Sequence, residues 1–132
     1  MATTTATITL SSSDLSSQAL SISSTTQLLK AGLTEGLDQT TGLNRKLYAT
    51  AQTGTTLIDE ADYVDNKAHK IYIKNVGTST TEHFTIILGG VTVGRLYGGD
   101  WMFIPYIGGA VITLDSSAVN MTLEHLVVHE LA

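Results

Sequence analysis

The chain contains no cysteine, which excludes disulfide staples, thiol catalysis and thiolate zinc sites together. Stability has to come from packing and assembly. Basic residues are few: 7 Lys and Arg stand against 12 Asp and Glu, for a net charge of −5. They are scattered along the chain, a distribution that disfavours nucleic-acid binding by phosphate neutralisation. Charge of either sign is scarce, at 14% of residues where ordinary globular chains carry roughly 25%. No apolar run approaches the ~20 residues that span a bilayer, and the opening MATTTATITL lacks the basic and long apolar regions of a secretory leader. No membrane partner is expected, and synthesis and use in a cytoplasm-like setting are. Helical periodicity is nowhere sustained, and Pro105 is the sole proline.

What remains is hydrophobic, hydroxyl-rich and punctuated by glycine. At 132 residues, 42% of them hydrophobic, the chain fits one domain with one core. A surface so short of charge predicts self-association, because a lone domain would leave apolar area uncovered. The strongest local pattern runs from Lys67 to Pro105. Phe84, Ile86 and Leu88 lead into Gly89-Gly90, and Val91, Val93 and Leu96 lead out, which predicts a hairpin across a two-residue turn. Gly98-Gly99 and Gly108-Gly109 follow at nine and ten residues, the spacing of an antiparallel meander or sandwich.

Further strands are expected at Leu47–Ala51, Thr55–Ile58, Lys70–Lys74, Trp101–Ile104, Ala110–Leu114 and Met121–Leu131. Ile71 and Ile73 share one face of theirs, and Pro105 marks a strand end or a sheet edge. Thr26–Gly32 reads as one helical turn with a Thr cap and a closing glycine. The segment from Leu33 to Leu43 reads as a winding connection pinned by leucines. The fold class is therefore all-β: an antiparallel β-sandwich or jelly-roll-like domain over residues 27–132. Residues 1–26 precede it as a Ser/Thr-rich extended arm or edge strand. In that arm Thr7, Ile8, Thr9, Leu10, Leu15, Leu20 and Ile22 are the candidate partner-binding residues, since alternation at Thr7–Leu10 suits a strand that completes a neighbour's sheet.

Reaction chemistry does not assemble. His125 and His129 would share one face of a helix, as a metal pair needs, but on a strand they stand roughly 13 Å apart at about 3.3 Å per residue. The acidic run Asp59, Glu60, Asp62, Asp65 lacks the central glycine and closing glutamate of a calcium loop. No nucleophile elbow or triad motif is present. Catalytic, cofactor and metal sites are accordingly expected to be none, and an enzyme is not expected. The aromatic residues Tyr97, Trp101, Phe103 and Tyr106 suit a core or subunit interface, with a sugar-stacking platform as the alternative.

The words KIYIKNVGTST (Lys70–Thr80), VGRLY (Val93–Tyr97) and GDWMFIP (Gly99–Pro105), with ATITLSSSDL and SISSTTQLLKAG before them, resemble small virion proteins of tailed bacteriophages, particularly those of marine cyanobacteria. The resemblance implies a structural protein of the particle, assembled in the host cytoplasm and located in the virion. Within the particle, small size, lack of reaction chemistry, low charge and a candidate docking arm favour a capsid decoration or cement protein that clamps neighbouring capsomers, and such proteins often sit on local threefold axes, which favours a trimer. Its partner would be the major capsid protein or another virion structural protein. A tail, neck or baseplate component, or a glycan-binding virion module, is the alternative.

Overall fold

A computed structural model describes residues 2–131. The chain is almost entirely β: β1 (Thr5–Ser12), β2 (Leu20–Gln27), β3 (Gln39–Thr40), β4 (Asn44–Tyr48), β5 (Thr55–Ile58), β6 (His69–Asn75), β7 (His83–Leu88), β8 (Val91–Tyr97), β9 (Trp101–Tyr106), β10 (Ile112–Ser116) and β11 (Met121–His129). One 3₁₀ turn, Glu60–Asp62, interrupts them, capped by the Asp59 carboxylate accepting from the Ala61 amide. Every strand pairing is antiparallel.

Two sheets make the sandwich. One has the order β3-β11-β6-β9, with β4 also paired to β11, and the other has the order β5-β10-β7-β8. Alternation decides what they bury. Ile71 and Ile73 of β6, with Leu123 and Val127 of β11, face Phe84 and Ile86 of β7 and Ile112 and Leu114 of β10, and all eight are essentially inaccessible to solvent. Tyr48 closes one side with its ring edge-on to Phe84, centroids 5.9 Å apart. Each of these side chains contributes on the order of 1.5–3 kcal/mol by leaving water.

The Gly89-Gly90 hairpin forms as its sequence predicts. Both glycines have left-handed φ, 56° and 84°, the pair of angles that a two-residue turn needs to follow the right-handed strand twist and that L side chains resist. Pro105 lies within β9, opposite Lys70. β9 is the last strand of its sheet, and the ladder phase explains why a proline fits there. The Asn75 amide donates to the Asp100 carbonyl at 3.0 Å, and on the other side the Val76 amide donates to Thr122. Odd-numbered residues of β6 therefore bond toward β9, pairing with Met102, Ile104 and Tyr106. Trp101, Phe103 and Pro105 turn their backbone groups to the open edge, where the amide that proline lacks has no ladder partner to lose.

Several expectations change. Thr26–Gly32 forms no helical turn: β2 runs through Gln27, and Leu29 bridges Gly36. A single helical turn fixes several residues for one hydrogen bond, so strand pairing outcompetes it. Of the three leucines expected to pin the following connection, Leu37 is buried while Leu33 and Leu43 are exposed. The strands expected at Leu47–Ala51 and Ala110–Leu114 are displaced to Asn44–Tyr48 and Ile112–Ser116. The amino-terminal segment forms a two-stranded ribbon of β1 and β2, paired with each other and, among the described residues, with no other strand.

This division of labour predicts a contrast. Leu114→Ala, at a fully buried position, should lower unfolding stability by about 2–5 kcal/mol. Ile22→Ala on the ribbon should change it by no more than about 0.5 kcal/mol. Urea denaturation of both variants checks the pair.

Candidate docking surface

The ribbon is two-faced because its sequence alternates in both strands. Ala6↔Thr26, Ile8↔Ser24, Leu10↔Ile22 and Ser12↔Leu20 lie opposite one another, so Ala6, Ile8, Leu10, Leu20 and Ile22 fall on one face. Thr5, Thr7, Thr9, Ser11, Ser21, Ser23 and Thr25 fall on the other, where the Thr7 and Thr25 hydroxyls bond across the strands at 2.9 Å. At the tip the Ser12 hydroxyl accepts from the Leu15 amide at 3.0 Å and turns the chain. The apolar face is uncovered: Ile8, Leu10 and Ile22 are 45%, 50% and 46% exposed.

Both long edges of the ribbon are open as well. The Leu28 amide donates to the Thr4 carbonyl at 2.8 Å, which extends the ladder by one step and fixes its phase. Even-numbered residues of β1 bond to β2, and Thr5, Thr7, Thr9 and Ser11 present their amides and carbonyls outward. The base is firmly held. Leu28 and Leu37 are buried, the Leu37 amide donates to the Leu28 carbonyl, and the Ala31 amide donates to the buried Glu130 carboxylate at 2.9 Å. Gly36 lets the chain start pass close by, since a Cβ there would collide with the Ala2 carbonyl.

Opposite the ribbon lies the outer face of the β11-β6-β9 sheet. Lys74↔Trp101 and Tyr72↔Phe103 are cross-strand neighbours, and Trp101 and Phe103 are 52% and 38% exposed. A groove of about 780 Å³ separates the two surfaces, lined by Ala6, Ile8 and Ser24 on one side and by Tyr72, Trp101 and Phe103 on the other. Its rim is electrostatically fixed. The Tyr72 hydroxyl donates to one oxygen of Glu124 at 3.2 Å and the Arg45 Nε donates to the other at 2.6 Å. The Arg45 bond holds the Glu124 carboxyl below its usual range, while burial pushes the Tyr72 phenol up.

The candidate residues thus divide. Thr7, Ile8, Thr9, Leu10, Leu20 and Ile22 are brought together in the ribbon and Leu15 sits in its tip, highly exposed. Trp101 and Phe103 face the groove. Tyr106 instead enters the core and donates its hydroxyl to the Ala110 carbonyl at 2.6 Å, and Tyr97 packs beside His83 on the opposite sheet. The Arg45–Glu124–Tyr72 network is invisible in the sequence, since its members lie on three strands far apart in the chain. The ribbon's hairpin did leave a signal: apolar residues alternate at 6, 8 and 10 and again at 20 and 22, around a polar turn.

His125 and His129 lie on the core-facing side of β11. Burial first, then Lys46, keeps the His125 imidazole below its ordinary value. Burial and the neighbouring His69 do the same at His129, against a smaller opposing pull from Asp38. Among the described residues no group of three or more His, Cys, Asp or Glu is placed to hold a metal ion. No protein-family model, curated protein or solved structure matches the chain.

The histidines make stability depend on pH with a definite sign. Both resist protonation when folded, so the unfolded chain takes up protons first as pH falls. Their contribution is complete above about pH 6.5, the unperturbed value, and declines as pH drops toward their lowered folded values. Thermal melting should therefore fall between pH 7 and pH 5, and the double variant H125N/H129N should flatten that slope. An unchanged slope in the variant would show that other groups control it.

Proposed function

We propose that this protein is a structural component of a bacteriophage virion, a decoration or cement protein that binds the outside of the shell and ties neighbouring capsomers together. The observation that carries the reading is the ribbon: a well-held base, two unpaired edges and an uncovered apolar face, on a sandwich whose own core is complete without it. A strand edge of this kind completes a neighbour's sheet through main-chain hydrogen bonds, while alternate side chains fill pockets. Here Thr5, Thr7 and Thr9 supply the edge groups, and Ile8 and Leu10 supply apolar side chains. Low charge suits a surface that is covered in the assembled state. The likeness to small virion proteins supplies the choice of particle, and its partner is then the major capsid protein or another shell component. No reaction is assigned to the protein.

Quantitative mass spectrometry of purified particles tests the role. Abundance comparable with the major shell protein is expected of a decoration protein. A copy number far below it would make this a tail, neck or baseplate component, and absence from particles would end the virion reading.

Deleting residues 2–26 should leave the melting temperature of the sandwich nearly unchanged while abolishing co-sedimentation with shells. Loss of folding in the deletion would mean that the ribbon is part of the domain's own core.

A further inference from the structure

We infer that the outer β6-β9 face takes the apolar face of a second copy's ribbon in place of its own, so that two copies exchange ribbons reciprocally. The inference rests on the self-association expected from the scarcity of surface charge and is independent of the particle. It also leaves the ribbon's edges free for a shell partner, since edge and face are different surfaces.

Three observations lead to a second copy rather than another occupant. The first is that each half of the contact is uncovered on this same chain. Ile8, Leu10 and Ile22 are about half exposed on the ribbon, as are Trp101 and, to a lesser degree, Phe103 on the sheet. The chain's own ribbon does not close the gap, which at about 780 Å³ is far larger than the ~30 Å³ share of one water. Water in such an apolar space is readily displaced by side chains.

The second is charge. The groove carries Lys74, and Lys70 lies on the same strand face. From Thr5 to Gln27 the ribbon has no basic residue and a single acid, Asp14, in its tip. An incoming ribbon therefore brings one carboxylate toward a face that bears Lys70 and Lys74 and whose own carboxylate, Glu124, is paired with Arg45.

The third is area. A ribbon of eight-residue strands is about 27 Å long and about 10 Å wide, so docking one face covers roughly 270 Å² on each of two surfaces. Two reciprocal contacts about a twofold axis bury about 1,100 Å² in total, just above the ~1,000 Å² expected of a specific interface. A threefold ring places only one such contact, about half that area, in each interface. The exchange thus points to a pair rather than the trimer expected of a decoration protein.

The absence of native cysteine makes the test clean. Single-cysteine variants Ile8→Cys and Phe103→Cys of the full chain are mixed and joined with a short bismaleimide, and sedimentation of the unmodified chain is measured in parallel. The expected result is a covalent dimer, several-fold more abundant in the mixture, where it is the heterodimer, than in either variant alone, from a parent that sediments as a dimer at micromolar concentration. A monomeric link in the double variant I8C/F103C with no heterodimer in the mixture would show that the ribbon folds onto its own sheet, and would overturn the inference. An oligomer without the cross-link would overturn the ribbon exchange while leaving self-association intact. A chain that stays monomeric alone, and shields a thiol at position 8 only on purified shells, would assign the groove to the shell protein and overturn it as well.

Discussion

Face-to-face packing of two antiparallel sheets is the interaction on which the rest of the molecule depends. β6 and β11 contribute Ile71, Ile73, Leu123 and Val127 from one side, and β7 and β10 contribute Phe84, Ile86, Ile112 and Leu114 from the other. Once these eight side chains are dry, the directions of all alternate residues on the same strands are set. Tyr72, Lys74, Trp101 and Phe103 are forced outward because Ile71, Ile73, Met102 and Ile104 are drawn inward. The outer face is in this sense a by-product of the core, yet it is where Trp101 and Phe103 remain exposed.

The ribbon stands in the opposite relation to that core. Its two strands are long enough to pair well with each other, but a two-stranded hairpin alone is marginal in water. Anchoring at Leu28, Leu37 and the Glu130 carboxylate holds its base, and nothing in the sandwich covers its apolar face. An element so built gains most of its burial only when another surface arrives. Open edges of this kind are usually blunted in monomeric proteins; here they are long, uncharged and rich in threonine, which favours strand pairing.

How far the fold was legible in the sequence follows from which interactions are local. The Gly89-Gly90 turn, the alternation of Ile71 and Ile73 and the edge position of Pro105 depend on neighbours in the chain, and each was readable. At Thr26–Gly32 the cap and the closing glycine are local signals for a helical turn, whereas the pairing of Leu29 with Gly36 and the burial of Leu28 decide the outcome. The aromatic residues at 97, 101, 103 and 106 are close in sequence but not grouped in the fold. Parity and the intervening turn at Gly98-Gly99 send Tyr106 into the core and Tyr97 to the other sheet. The Arg45–Glu124 pair, whose members stand 79 positions apart, has no local signal at all.

The proposed role requires a sandwich that folds by itself and a ribbon that is ordered by what it binds. Native-state hydrogen exchange measures this most directly, strand by strand, at a concentration where the chain sediments as a monomer and again where it is assembled. In the monomer, amides of β6 and β11 should exchange only through global unfolding, and β1 and β2 amides through local opening of near-zero free energy. On assembly the ribbon should become strongly protected. Ribbon amides as protected as those of β6 in the monomer would contradict that role.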